Sequence, residues 1–196
     1  MKLSDLYVQL YKKYGPQGWW PINNQYNKKD YSKKTEKEKF EIATGAILTQ
    51  NTSWKNVEKA LSQLREHEVL NKEAIRKMNQ ESLAKLIKSS GYHNQKAKKL
   101  KEFAHFEMTA TRKNLVGIWG IGPETADSIL LYAYDTHIFI VDAYTKRIML
   151  HYKFGNAQWS YNQWQTFFHK NLDVDYRLFN EFHALIITHA KQLKRP

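Results

Sequence analysis

Two glycines and a proline form the most distinctive short pattern in this chain of 196 residues. Gly120 and Gly122 flank Ile121, and such a turn needs either a positive φ or close approach to a ligand, which glycine tolerates best. Pro123 follows where a first helical residue is expected, because its fixed φ suits that position. The start of that helix, which includes Thr125, would point free N–H groups at an anion. The pattern therefore predicts a phosphate-binding turn, although a bare GxG is also typical of an ordinary turn.

One carboxylate follows this turn at a suggestive spacing. Asp142 lies 20 residues after Gly122 and ends the strand-like sequence HIFIVD. A carboxylate held near a sugar can stabilise the positive charge that develops when a glycosidic bond breaks, and it can orient a water. The alternative is that Asp142 is the N-cap of a helix that begins at Ala143. The two roles are compatible.

The sequence around both features resembles a known family. The segment from Leu115 to Leu130, LVGIWGIGPETADSIL, is similar to the helix-hairpin-helix of the endonuclease III (helix-hairpin-helix-GPD) superfamily of DNA base-excision glycosylases. The segments GAILTQNTSWKNVEKAL, SGYHNQKAKKL and NEFHALI are also similar to family sequence. Within this superfamily the chain most resembles the branch that includes bacterial 3-methyladenine glycosylases, because it carries the Trp19-Trp20-Pro21 element.

This resemblance implies an enzyme of base excision repair that excises a damaged base, expected to be an alkylated purine. It implies that Asp142 is catalytic and that the hairpin residues Gly120, Ile121, Gly122 and Thr125 bind DNA. Bifunctional members carry a lysine two residues after the second hairpin glycine, where it forms a Schiff base. This chain has Glu124 there, and a carboxylate cannot form that adduct. A monofunctional glycosylase that leaves an abasic site is therefore expected.

The resemblance also indicates which residues handle the flipped base. Asn51, or its neighbour Gln50, falls where an amide side chain fills the gap in the duplex, since an amide offers both a donor and an acceptor. The extruded base needs a pocket. The expected pocket residues are Trp20, Pro21, Phe40 and His183. Aromatic rings there would select a cationic purine by stacking and cation–π attraction, although tryptophans and a lone histidine are more often core residues.

The formal net charge of +12 favours a polyanionic partner, which the resemblance implies is double-stranded DNA with a damaged base. No segment approaches the roughly 18 apolar residues of a membrane span, and the amino terminus lacks the apolar region of a secretion signal. We therefore expect a cytoplasmic protein without membrane contact, and a monomer.

Cofactor chemistry is constrained by composition. The chain has no cysteine, so it can have neither a disulfide nor the cysteine-ligated iron–sulfur cluster that many relatives carry after their last helix. His183 and His189 are six residues apart, which is wrong for ligation from adjacent helical turns, so we expect no transition metal. The family implies one further ligand, a monovalent cation at the hairpin carbonyls.

Helical periodicity dominates the rest of the chain. It predicts a first helix that ends at Gly15-Pro16, and helices around 40–48, 57–64, 83–87, 97–104, 125–133, 144–152, 161–169 and 175–192. One run, 138–141, is strand-like, and 23–39 is expected to be a solvated connection. One predicted helix face is basic, and it either contacts DNA or is exposed to solvent. Its residues are Lys96, Lys98, Lys99 and Lys101.

The predicted fold class is all-α. The resemblance implies two helical lobes of the endonuclease III type, a middle lobe of residues 34–135 and a terminal lobe of residues 1–33 plus 136–196, with the active cleft between them. Two alternative functions stay open. A bifunctional glycosylase and abasic-site lyase would need a reactive lysine, such as Lys146, whereas a non-catalytic helix-hairpin-helix protein would have no need for Asp142.

Overall fold

The computed structural model describes residues 1–26 and 33–193. Within these residues it contains eleven α-helices and no β-strand, which confirms the all-α prediction. The helices are α1 (Leu3–Tyr14), α2 (Glu36–Leu48), α3 (Trp54–Glu66), α4 (Lys72–Lys77), α5 (Gln80–Leu86), α6 (His93–Ala104), α7 (Arg112–Val116), α8 (Pro123–Tyr134), α9 (Ala143–His151), α10 (Tyr161–Asn171) and α11 (Tyr176–Gln192). In this part of the chain no helix is long and apolar enough to cross a membrane.

The chain forms two compact units. Among the described residues, the first unit comprises 1–21, 25–26 and 135–193, and the second comprises 22–24 and 33–134. In the first unit α11 packs against α1 and α9. In the second unit α2 packs against α8, and α6 packs against α4 and α5. Both ends of the chain therefore build one unit, and its middle builds the other.

Helix α2 begins earlier than the apolar pattern predicts. Thr35 and Glu38 form a capping box, in which each side chain bonds the backbone N–H of the other residue. The helix therefore starts at Glu36, inside the predicted connection of residues 23–39. Residues 27–32 of that connection, and the terminal residues 194–196, lie outside the described residues.

The predicted strand at 138–141 is wrong. Phe139, Ile140 and Val141 are buried, but no strand pairs with them in the described part of the chain. The backbone N–H of Phe139 donates to His169 Nε2 at 3.0 Å, and its carbonyl accepts from Gln165 Nε2 at 2.7 Å. Both partners lie on α10, so side chains satisfy the buried backbone where a neighbouring strand would otherwise do so.

Two lysines of the basic run have structural roles, contrary to both interpretations of that run. Lys96 is only 1% exposed, and its ammonium donates to the carbonyls of Leu48 at 2.8 Å and Ser90 at 2.6 Å. Lys101 donates to carbonyls at the end of α4, including that of Met78 at 2.7 Å. These ammonium groups satisfy carbonyls at helix ends, which have no partner within their own helix.

Lys96 predicts a pH dependence of stability. Burial, reinforced by Lys99, lowers the pKa of Lys96 from 10.5 to about 8. Between these values the unfolded chain binds more protons than the folded one, so stability rises with pH. Relative to Lys96→Met, the wild-type free energy of unfolding should therefore gain about 2 kcal/mol from pH 8 to pH 10. Urea titrations measure this, and a difference that stays constant with pH would contradict the assignment.

Candidate functional site

The glycine turn joins α7 to α8 within the second unit. Gly120 has a φ of +79°, whereas Gly122 has no positive φ. Ile121 is buried, and its N–H donates to the carbonyl of Ile118 at 3.1 Å. Pro123 is the first residue of α8, as predicted, and Gly122 is exposed immediately before it. The exposed amino terminus of α8 has the geometry of an anion site.

The two glycines of the turn meet different surroundings. A Cβ atom on Gly120 would lie 2.4 Å from Cε of Lys99, while a Cβ on Gly122 would meet no atom within 4 Å. The fold itself therefore requires glycine at position 120. At position 122 the protein leaves room that a ligand could approach closely, which is the other reason for a glycine in such a turn.

Gln50 connects the end of α2 to this turn. Its Nε2 donates to the carbonyl of Gly120 at 3.1 Å and to Thr125 Oγ1 at 2.9 Å, while its Oε1 accepts from the Lys99 ammonium at 2.5 Å. The next residue, Asn51, is exposed with a left-handed φ of +53°. The structure thus separates the two candidates for the wedge, because Gln50 is engaged with the hairpin and Asn51 is presented to solvent.

An ion pair that sequence reasoning missed joins the two helices of the hairpin motif. Nε of Arg112, the first residue of α7, lies 2.9 Å from Oδ1 of Asp127, and Asp127 is fully buried. The available signal was a carboxylate next to Ala126 and close to the apolar run that begins at Ile129 of α8, since a buried charge needs a partner. The pair holds α7 and α8 together on either side of the turn.

Asp142 caps helix α9 in the first unit. Its Oδ1 accepts from the backbone N–H of Thr145 at 2.6 Å, which confirms the N-cap prediction. Its Oδ2 lies 3.6 Å from His183 Nε2, a contact within ion-pair range but too long for a hydrogen bond. The Asp142 side chain is 15% exposed, so the carboxylate is largely buried but still accessible to solvent.

The groups around Asp142 favour the charged form of its carboxylate. Burial raises its pKa, but His183 and the N–H of Thr145 outweigh burial, so the pKa lies below the ordinary value of 3.8. Asp142 is therefore ionised at neutral pH, as a group that stabilises a cation must be.

The expected base-pocket residues fall in both units. Trp20 and Pro21 belong to the first unit, where the Trp19 and Trp20 rings meet edge to face at 5.2 Å. Phe40 belongs to the second, where it is buried and stacks on Phe103 at 5.8 Å beside a cavity of about 360 Å³. The fourth expected residue, His183, lies beside Asp142.

Metal ligands are scarce. The sequence has no cysteine. Within residues 1–26 and 33–193, no group of three or more histidine, aspartate and glutamate side chains could hold a metal ion.

A sequence model of the HhH-GPD superfamily base excision DNA repair proteins matches residues 44–173, which include the hairpin, Gln50 and Asp142. The chain belongs to this superfamily. It is 39% identical to a Methanocaldococcus jannaschii protein that is provisionally named a DNA repair glycosylase. The match covers 98% of this chain and 89% of that relative. As an HhH-GPD protein, the chain is a DNA glycosylase of base excision repair, and DNA is its partner.

Solved structures agree with this family. The H. pylori 3-methyladenine DNA glycosylase MagIII, bound to 1,N6-ethenoadenine, matches with a TM-score of 0.80 and 26% identity, and each chain is covered completely. Endonuclease III in a non-covalent DNA complex matches with a TM-score of 0.74 over 94% of this chain and 82% of that chain. At 16% identity, this second likeness concerns the fold alone.

The contrast between the two hairpin glycines predicts opposite results for two alanine variants. Gly120→Ala should lower the free energy of unfolding by about 1–3 kcal/mol, because alanine is strained at a positive φ. Gly122→Ala should keep wild-type stability but weaken binding to duplex DNA of any sequence, because its methyl group occupies the open approach. Urea titration and fluorescence anisotropy measure the two effects. Wild-type affinity for Gly122→Ala would show that the turn is only structural.

Proposed function

We propose that this HhH-GPD protein is a monofunctional glycosylase that excises an alkylated purine from duplex DNA, with Asp142 as its catalytic carboxylate. The observation that carries the proposal is the state of Asp142. One oxygen is fixed by the N–H of Thr145, the other lies 3.6 Å from His183 Nε2, and the group is ionised and 15% exposed. A carboxylate held in this way is oriented before any substrate arrives, which is what electrostatic catalysis requires.

The reaction follows from that arrangement. The damaged nucleotide leaves the base stack, and its N-glycosidic bond breaks with the bonding electrons going to the purine. A purine alkylated on a ring nitrogen is cationic, so it departs as a neutral base and needs no acid. The sugar is left with positive charge, which Asp142 stabilises. A water then forms the new bond to the anomeric carbon, and its proton passes to the Asp142 carboxylate and on to solvent.

Glu124 supports the monofunctional assignment. It lies exposed in the first turn of α8, two residues after Gly122, where bifunctional relatives carry their nucleophilic lysine. A carboxylate cannot form a Schiff base, so the enzyme should release the base and leave the DNA strand intact.

The choice of an alkylated purine rests on the aromatic residues and on one relative. Trp20 is half-buried, with its ring held against Trp19. Aromatic faces attract cations, and an alkylated purine is both flat and cationic. MagIII, which matches this chain over its whole length, is named for 3-methyladenine and was solved with 1,N6-ethenoadenine, a modified purine. Trp20, Pro21 and His183 belong to the same unit as Asp142, and we include these three residues in the proposed pocket.

We propose that the protein acts on damaged DNA as a monomer, with one residue that takes the place of the flipped base. Asn51, exposed after α2, is the proposed wedge that fills the gap left by the flipped base, while Gln50 anchors the hairpin.

The hairpin also offers a site for a monovalent cation. The carbonyls of Ile118 and Gly120 each accept one hydrogen bond and keep a second lone pair, so they fit such a cation. Such a cation, when bound, would offset phosphate charge at the turn.

Borohydride trapping tests the monofunctional assignment. Enzyme, lesion-bearing duplex and borohydride should give little covalent complex, because no amine occupies the position of Glu124. Strand breakage should appear only after hot alkali. Trapping at the rate of base release would instead identify a lysine nucleophile, and Lys146→Gln would then show whether Lys146 supplies it. A bifunctional endonuclease III enzyme is the positive control.

A further inference from the structure

An exposed aromatic ring lies beside the hairpin glycines and has no role in the proposed chemistry. All six tryptophans lie in the described residues, and Trp119, at 48%, is the most exposed of them. Val116, three residues earlier on α7, is exposed as well. Both side chains are therefore accessible to a partner.

A lysine accompanies this ring. Nζ of Lys98, on α6, lies 4.2 Å from the centroid of the Trp119 ring, which is a cation–π contact. Lys98 differs from the other lysines of the basic run, because Lys96 and Lys101 donate to carbonyls and Lys99 donates to Gln50. It is exposed, and its position suits an anionic partner.

The neighbouring contacts fix this pair in place. The stem of Lys99 packs beneath Gly120, and Gln50 bonds both Lys99 and the Gly120 carbonyl. These contacts hold helix α6 against the turn next to the Lys98–Trp119 contact. The ring is thus presented on a fixed support, which lowers the entropic cost of binding.

We propose that Trp119 and Lys98 form a contact with the sugar–phosphate backbone of duplex DNA, next to the phosphate that approaches Gly122. The indole lies over a deoxyribose, and the Lys98 ammonium pairs with the adjoining phosphate. This inference rests on the proposed glycosylase function and extends its DNA-binding surface beyond the two glycines. The contact is made to the backbone, so it contributes affinity without base preference.

Distance and charge favour a DNA strand as the occupant. Trp119 and Gly122 are three residues apart, so their Cα atoms are separated by at most about 11 Å. A strand with a phosphate at Gly122 therefore passes within reach of the indole. The cationic Lys98 beside an apolar ring complements the alternation of phosphate and sugar along that strand, and the chain carries a net charge of +12.

Tryptophan fluorescence tests the contact directly. Acrylamide should quench a readily accessible component in the free wild-type protein, and Trp119→Phe should remove that component. A duplex that carries an uncleavable abasic-site analogue should protect the component from quenching. Undiminished quenching in the DNA-bound wild type would overturn the inference.

Two variants separate the ring from the charge. Trp119→Ala should weaken the Kd for duplex about tenfold, the effect of covering roughly 60 Å² of apolar ring surface, and should leave the salt dependence unchanged. Trp119→Phe should retain most of the affinity. Lys98→Gln should lower the slope of log Kd against log salt concentration by about one, the value for one phosphate contact. Tyr11→Ala and Lys12→Gln, at exposed positions of α1, are the matched controls.

The outcomes distinguish this inference from the function on which it rests. If Trp119→Ala and Lys98→Gln bind duplex like wild type while wild type still releases a damaged base, the contact is overturned and the glycosylase proposal stands. If wild type neither binds duplex nor releases a base, both are overturned. A thermal melt of each variant confirms that the fold is retained.

Discussion

Asp142→Asn should reduce single-turnover base release by at least about 10²-fold, the loss that follows removal of one preorganised electrostatic group. The variant should bind abasic-analogue DNA as tightly as wild type or more tightly, because it lacks one negative charge. Asparagine caps helices about as well as aspartate, so α9 and the fold should be maintained. Rapid-quench measurement with enzyme in excess of a lesion-bearing duplex reports the chemical step.

Asp175 offers a matched control for this variant. It is also an N-cap aspartate, at the start of α11, and its Oδ1 accepts from the backbone N–H groups of Arg177 and Leu178. Both variants replace an N-cap aspartate with asparagine, but only Asp142 has His183 beside its second oxygen. Asp175→Asn should therefore change the rate of base release by less than twofold. Equal losses in both variants would mean that capping, and not catalysis, explains the effect of Asp142→Asn.

The second large effect concerns stability. Asp127→Ala should lower the free energy of unfolding by about 2–3 kcal/mol, because it removes the fully buried carboxylate of an ion pair whose Arg112 side chain is 32% exposed. The substitution removes the carboxylate that Arg112 Nε contacts at 2.9 Å, and with it the link between α7 and α8. The same variant should bind duplex DNA more weakly, since the two helices hold the turn. Urea titration and anisotropy measure the two quantities.

An exposed pair provides the comparison. Lys77 and Glu73, at 2.5 Å on α4, are both well exposed to solvent, and surface pairs of this kind contribute little. Glu73→Ala should leave the urea midpoint close to that of wild type. A midpoint shift as large as that of Asp127→Ala would contradict the structural role assigned to the Arg112–Asp127 pair.

Sequence was sufficient for the elements that depend on local pattern. The first helix ends at Tyr14, and its C-cap Gly15 has a φ of +67°, as the Gly-Pro pair predicts. The helix predicted around 57–64 is present as α3. The predicted strand failed because a short apolar run cannot distinguish a strand from a buried segment whose backbone is bonded by side chains of α10. The short helices α4 and α7 were not predicted, because five or six residues carry too little periodicity.

At the site, sequence identified the groups but not their partners. The turn, the start of α8 at Pro123 and the capping by Asp142 follow from residue types at fixed spacing. The engagement of Gln50 with Lys99, 49 positions away, arises only when α2 and α6 are packed together. The different needs for glycine at 120 and 122 likewise depend on where Lys99 lies in three dimensions.

Single-turnover excision from a duplex with one alkylated purine tests the central claim most directly. We expect wild type to release the modified base and leave a strand that breaks only in hot alkali, while Asp142→Asn leaves the base in place. If the folded wild-type protein binds this duplex and releases no alkylated purine, or if Asp142→Asn releases it at the wild-type rate, the proposed function is wrong.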